Sequence, residues 1–134
     1  MVVTIIGTKE WDWTSDVPSE PYVFIGNEGN DFTVDSPFDD YIDLGPDQDT
    51  AFTYDGNDVD LGGAGDDYIS HAGTGNDTLF GGTNLDAANS GSDTIYSGEG
   101  DDLVLGGDGD DIVDGGSGQD DLNGNAGNDL VYGD

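Results

Sequence analysis

Along the second half of the chain an aliphatic residue returns every nine residues at Ile95, Val104, Val113, Leu122 and Val131, preceded by Ile69 and Leu79 at steps of 10 and 16. A spacing of nine fits neither the 3.6-residue period of a helix face nor the alternation of a long strand. Each aliphatic lies two residues after an Asp, and a glycine-rich stretch precedes that Asp: Gly62-Gly63-Ala64-Gly65-Asp66-Asp67 leads into Tyr68-Ile69-Ser70, and Gly106-Gly107-Asp108-Gly109-Asp110-Asp111 into Ile112-Val113-Asp114. Gly115 to Asn123 and Gly124 to Tyr132 repeat the unit. Glycines at positions one, two and four permit positive φ and let carbonyls converge in a tight turn. The three residues after the Asp form a very short strand, with position eight on one side and positions seven and nine on the other.

One buried aliphatic per unit is a thin core that only stacked neighbours can complete. Two units make a coil of 18 residues, and alternate strands form two parallel sheets facing each other. The predicted fold is all-β, a parallel β-roll of the β-helix or solenoid kind, with about eleven nonapeptide turns. The in-phase Asp residues are 31, 40, 49, 58, 67, 77, 93, 102, 111, 120 and 129.

The breaks in phase predict local features. The longest step, from Asp77 to Asp93, reads as one turn with an inserted, protruding loop at 84–90. The ten-residue step before Asp77 is assigned to His71, as an extra residue bulging at the end of the Tyr68-Ile69-Ser70 strand and as a surface histidine. Turns 35–40 and 44–49 keep the Asp but have lost most of the glycine template. Residues 1–25 precede the repeat and read as an N-terminal capping segment, with strands at Val2 to Ile6 and Tyr22 to Ile25 and with Trp11 and Trp13 packing the end of the core. Residues 26–134 form the roll, and Gly133-Asp134, two residues into another turn, suggest a piece of a longer protein.

Composition narrows the chemistry. The chain of 134 residues carries 31 Asp and Glu against one Lys, a formal charge of -30, which excludes nucleic acid and anionic membrane surfaces as electrostatic partners. Such a chain folds compactly only when something neutralises its carboxylates. There is no Cys and no Arg, and one His, so thiolate metal sites, Cys nucleophiles and guanidinium clamps are absent and no catalytic constellation is identifiable. Carbonyl-rich turns that each end in a carboxylate are suited to calcium, a hard cation taking six to eight oxygens, and not to zinc or copper.

These nonapeptides, with the turn Ser97-Gly98-Glu99-Gly100-Asp101-Asp102, resemble the RTX, or hemolysin-type, calcium-binding repeats over residues 26–134. The resemblance implies several Ca2+ ions, each between turns one coil apart, held by sixth-position Asp residues and backbone carbonyls. Carried over by position, the ligands are Asp67, Asp77, Asp93, Asp102, Asp111, Asp120 and Asp129, with Asp58 and Asp31, and with turn donors at Gly62, Ala64, Gly98, Gly106, Asp108, Gly115, Ser117, Gly124 and Ala126. Turn 97–102 is expected to pair with 115–120, and 106–111 with 124–129. Asp40 and Asp49, in the degenerate turns, gain no site from the resemblance. The position-five residues Asp66, Asp101 and Asp110 are expected to be solvated.

The resemblance further implies a non-enzymatic module of a larger secreted bacterial protein, exported by a type I secretion system and folding on calcium outside the cell, with any catalysis in a separate domain. Two alternatives are a polysaccharide-targeting module of a secreted enzyme or protease, and an adhesin segment. The expected contact surface for a polysaccharide, a neighbouring domain or a second copy is an outward row on one sheet, comprising Phe32, Val34, Phe52, Tyr68, Tyr96, Ile112, Leu130 and Tyr132. Thr33 and Asp60 fall at position eight between apolar neighbours, which predicts the opposite facing for the first units.

Overall fold

The computed structural model of the chain describes residues 2–8, 10, 12, 19–71, 73–82 and 91–133, and these contain strands and no helix. One sheet has seven strands in the spatial order β1 (Val3–Ile6), β2 (Tyr22–Ile25), β4 (Tyr41–Pro46), β6 (Val59–Ala64), β8 (Thr78–Phe80), β10 (Leu103–Asp108) and β12 (Asp121–Ala126). The other has six, running β3 (Phe32–Val34), β5 (Thr50–Thr53), β7 (Tyr68–His71), β9 (Thr94–Tyr96), β11 (Ile112–Asp114) and β13 (Leu130–Tyr132). Successive strands alternate between the sheets and all neighbours are parallel, so the chain winds as a β-roll of about six coils.

The core is a double column of position-eight side chains. Phe24, Ile42, Leu79 and Val104 from the first sheet face Ala51, Ile69, Ile95 and Val113 from the second, all with no exposed surface. Cα register aligns Ala51, Ile69, Ile95 and Val113 on successive rungs, so each aliphatic packs on the one above and below. Burying such a side chain is worth roughly 1.5–3 kcal/mol, gained only when the neighbouring coil is in place.

Thr33 and Asp60 occupy the same inward column and are fully buried. The predicted reversal of facing in the first units therefore does not occur. Backbone pairing of Thr33 with Ala51 and of Ile42 with Asp60 fixes the register, and one polar residue cannot flip a strand whose ladder and turns are set by its neighbours.

His71 is also corrected. It is the last residue of β7, paired with Thr53, and its side chain points into the roll with 4% of the residue exposed. Thr74 N–H donates to Asp55 Oδ1 on the coil below while His71 pairs with Thr53, so the surplus residue of the ten-residue step falls after His71 and before Thr74. The inserted loop at 84–90 lies outside the described residues, but the chain on either side is in register: Gly81 N–H donates to Leu105 O, and Ser92 N–H to Asp66 Oδ1. Before the repeat, β1 pairs in parallel with β2, while Trp11 and Trp13 lie outside the described residues.

Candidate metal centre

The coils are joined along both edges through the sixth-position Asp residues. On one edge Asp49 N–H donates to Asp67 Oδ1 at 2.9 Å, Asp67 N–H to Asp93 Oδ1 at 2.9 Å, Asp93 N–H to Asp111 Oδ1 at 2.8 Å and Asp111 N–H to Asp129 Oδ1 at 3.1 Å. The opposite edge repeats this through Asp40, Asp58, Asp77, Asp102 and Asp120. Turn 97–102 thus stacks on 115–120, and 106–111 on 124–129. Each Asp spends one oxygen in tying its coil to the next.

The second oxygen is the informative one. Oδ2 of Asp31, Asp49, Asp58, Asp67, Asp77, Asp93, Asp102 and Asp111 is buried with no hydrogen-bond partner. A buried carboxylate oxygen without a partner costs free energy comparable to a lost hydrogen bond or more, and here the cost recurs on every coil. In the turns that begin with glycine, Oδ2 lies against that glycine: a Cβ on Gly62 would stand 2.7 Å from Asp67 Oδ2 and 2.3 Å from the Gly81 carbonyl of the next coil. On Gly106 it would meet Asp111 Oδ2 at 2.3 Å and Gly124 O at 2.7 Å. Glycine is required there because carboxylate and carbonyl oxygens from two coils converge on that space. An oxygen-only donor set at a buried, uncompensated anion fits a hard divalent cation such as calcium.

The electrostatics agree. Burial, with neighbouring carboxylates adding to it, pushes the Asp67 carboxyl up to about 9, and those of Asp49, Asp58, Asp77 and Asp93 up to about 7. Burial raises Asp31, Asp102 and Asp111 as well. Backbone N–H donors only partly offset it. These groups either keep a proton or meet a cation.

The other candidate donors fall where stacking brings them to the turns. Ala64, Ala126 and Ser117 accept backbone N–H groups from Asp47, Gly109 and Gly100 on adjoining coils, and Gly98 O accepts from Ser117 N–H. Asp108 is exposed at the third position of its turn. Gly115 and Gly124 lie against Asp120 Oδ2 and Asp129 Oδ2, although both aspartates are only partly buried on the last coil. Asp66, Asp101 and Asp110 are exposed and accept N–H groups from Ser92, Gln119 and Asn128, tying the outer rims of the turns together. Asp40 differs from its neighbours: Tyr22 N–H donates to its Oδ1, and Ser36 N–H and Oγ donate to its Oδ2, so both oxygens are satisfied without an ion.

The nine-residue reading missed that the two edges are not alike. On one edge position one reads Gly26, Leu44, Gly62, Gly81, Gly106 and Gly124; on the other it reads Asp35, Thr53, His71, Ser97 and Gly115. An 18-residue comparison of position one would have shown it. The second edge therefore sends polar side chains into the roll. Asp35, Asp40 and Asp58 bring one carboxylate oxygen each within 4.8 Å of one another, and so do Asp58, His71 and Asp77 with one ligand atom each. Asp35 is pushed up to about 9, mainly by burial, and complete enclosure raises Asp60 well above the ordinary carboxylate range. Burial pulls His71 down to about 4, which keeps its imidazole neutral.

Stacked glycine turns with inward carboxylates define a β-roll built to take hard cations between its coils. The family model of the RTX calcium-binding nonapeptide repeat matches this chain in four copies, over residues 25–60, 61–86, 88–122 and 114–134, and the chain belongs to that family. Its repeats are a structural calcium-binding module, not a catalytic one. No curated protein and no solved structure matches the chain.

Proposed function

We propose that this calcium-binding β-roll is a module of a larger secreted bacterial protein, exported through a type I secretion system and folding when it meets calcium outside the cell. The row of buried, unpartnered Oδ2 atoms, one on almost every coil, carries this reading. The ligands are Asp31, Asp58, Asp67, Asp77, Asp93, Asp102, Asp111, Asp120 and Asp129 with carbonyls of the glycine turns. Membership of the RTX family and a charge of -30 support a chain that stays extended until calcium neutralises it. Asp49, in a turn the sequence had left out, belongs with these ligands by its orphaned oxygen. Circular dichroism at neutral pH tests the reading: a disordered spectrum in chelator, and a β spectrum on adding calcium at about 10⁻⁴ to 10⁻³ M but not magnesium, are expected. A folded spectrum unchanged by chelator refutes it.

The polysaccharide-targeting reading has one observation of its own. Phe32, Phe52, Tyr68 and Tyr96 form a row on the outer face of the six-stranded sheet, with successive ring centroids 5.7, 5.9 and 6.0 Å apart. Quenching of tyrosine fluorescence by oligosaccharides, lost in a Tyr68→Ser/Tyr96→Ser variant that still folds with calcium, would favour it; no response to any sugar argues against it.

A further inference from the structure

Along the second edge the position-one column carries polar side chains, and at one level that side chain is an imidazole. His71 stands in the position-one column between Thr53 and Ser97 and its side chain has no exposed surface. Nδ1 and Thr53 Oγ1 are 2.9 Å apart. Nε2 has no hydrogen-bond partner and lies 3.3 Å from Asp77 Oδ2, which has none either. Asp58 Oδ2, also unpartnered, is 3.7 Å from Nδ1. One ligand atom each from Asp58, His71 and Asp77 thus lies within 4.8 Å of the others, and Nε2 and both carboxylate oxygens have no hydrogen-bond partner.

We propose that His71, Asp58 and Asp77 form an internal site for one divalent transition ion of the zinc type, enclosed between the two sheets. At this one level the zinc-type ion takes Asp58 and Asp77 in place of calcium, while the other aspartates hold calcium as proposed above, so the two readings fail separately.

The chemistry selects the class of ion. Calcium takes oxygen ligands, whereas one imidazole with two carboxylates is a set that suits zinc and its neighbours. The 3.3 Å between Nε2 and Asp77 Oδ2 equals the edge, about 3.3 Å, of a tetrahedron whose corners lie about 2.0 Å from a central ion. A ligating histidine ordinarily donates its other ring N–H to a fixed acceptor, which sets tautomer and ring orientation, and Thr53 Oγ1 stands where that acceptor is needed. The surroundings call for positive charge: Asp35, Asp40, Asp58, Asp60 and Asp77 are all buried on neighbouring rungs.

The test uses the whole chain, folded in excess calcium. Zinc titrated into it by calorimetry is expected to bind with one equivalent at this site, and His71→Ser, which copies Ser97 of the next coil, to weaken that binding about 10- to 100-fold while leaving the calcium midpoint within about twofold. Because the chain has a single histidine, its ring nitrogens can be followed without assignment in ¹⁵N-labelled wild-type protein. Zinc is expected to shift the Nε2 resonance, and this readout stands even if His71→Ser does not fold. Equal zinc affinity in wild type and His71→Ser overturns the proposal. So does an Nε2 resonance that ignores zinc and titrates only with protons, which would make His71 an internal counter-ion. Calcium-induced folding without a zinc response sinks this site and leaves the calcium reading; a zinc shift in a chain that calcium does not fold does the reverse.

Discussion

Removing calcium at neutral pH should unfold the roll, and raising the proton concentration should restore it. Asp49, Asp58, Asp77 and Asp93 are each pushed from an ordinary 3.8 up to about 7, mainly by burial, and Asp35 and Asp67 up to about 9. Lifting one carboxyl from 3.8 to about 7 means that keeping it ionised in the metal-free fold costs about 4 kcal/mol relative to a solvated carboxylate. Two such residues cost about 8 kcal/mol, within the total stability of roughly 5–15 kcal/mol available to a domain. Because the folded values are raised, the fold gains from protonation: that stability is complete below about 3.8 and is lost as pH climbs through 7 to 9. Far-ultraviolet circular dichroism in chelator should therefore show β structure at pH 5 and a disordered chain at pH 9. In millimolar calcium the β spectrum should persist at pH 9, and the calcium midpoint should rise on acidification, because protons and calcium compete for the same oxygens. A metal-free chain equally folded at pH 5 and pH 9, or one gaining structure as pH rises, would refute the reasoning.

Four substitutions probe the parts separately. Asp111→Ala removes an orphaned Oδ2 and should raise the calcium midpoint well above that of Asp40→Ala, whose oxygens are already hydrogen-bonded to Tyr22 and Ser36; equal midpoints in calcium titrations would mean that Asp40 meets an ion as well. Gly63→Ala places a Cβ 1.8 Å from Gly45 O at a φ of 110°, and should cost at least about 2 kcal/mol in urea unfolding of the calcium-loaded chain. Ile95→Ala empties a fully buried rung and should cost about 3 kcal/mol in the same measurement, with the calcium stoichiometry unchanged.

The turns were legible because glycine and Asp are demanded there by backbone conformation and by ion chemistry, both local to nine residues. Once the unit was known, stacking of Asp102 on Asp120 and of Asp111 on Asp129 followed from coil length alone. What escaped was the interior of the first coils. Thr33, Asp35 and Asp60 look outward-facing by residue type, yet the ladder aligns Thr33 with Ala51 and Asp60 with Ile42, and register outranks the preference of one side chain. His71 escaped for a related reason. The ten-residue step was assigned to the histidine, while the hydrogen bond of Thr74 to Asp55 moves the surplus beyond it and leaves the imidazole in the core. The difference between the two edges has an 18-residue period and is averaged away in a nine-residue alignment.

The orphaned oxygens give the most direct measurement. Diffraction from calcium-grown crystals, with anomalous maps, should place ions about 2.3–2.6 Å from Asp67 Oδ2, Asp93 Oδ2 and Asp111 Oδ2, between stacked turns and within the same distance of glycine-turn carbonyls. Saturating calcium that leaves these oxygens without an ion, in a roll that is nevertheless folded, would contradict the claim that the row of carboxylates exists to hold calcium.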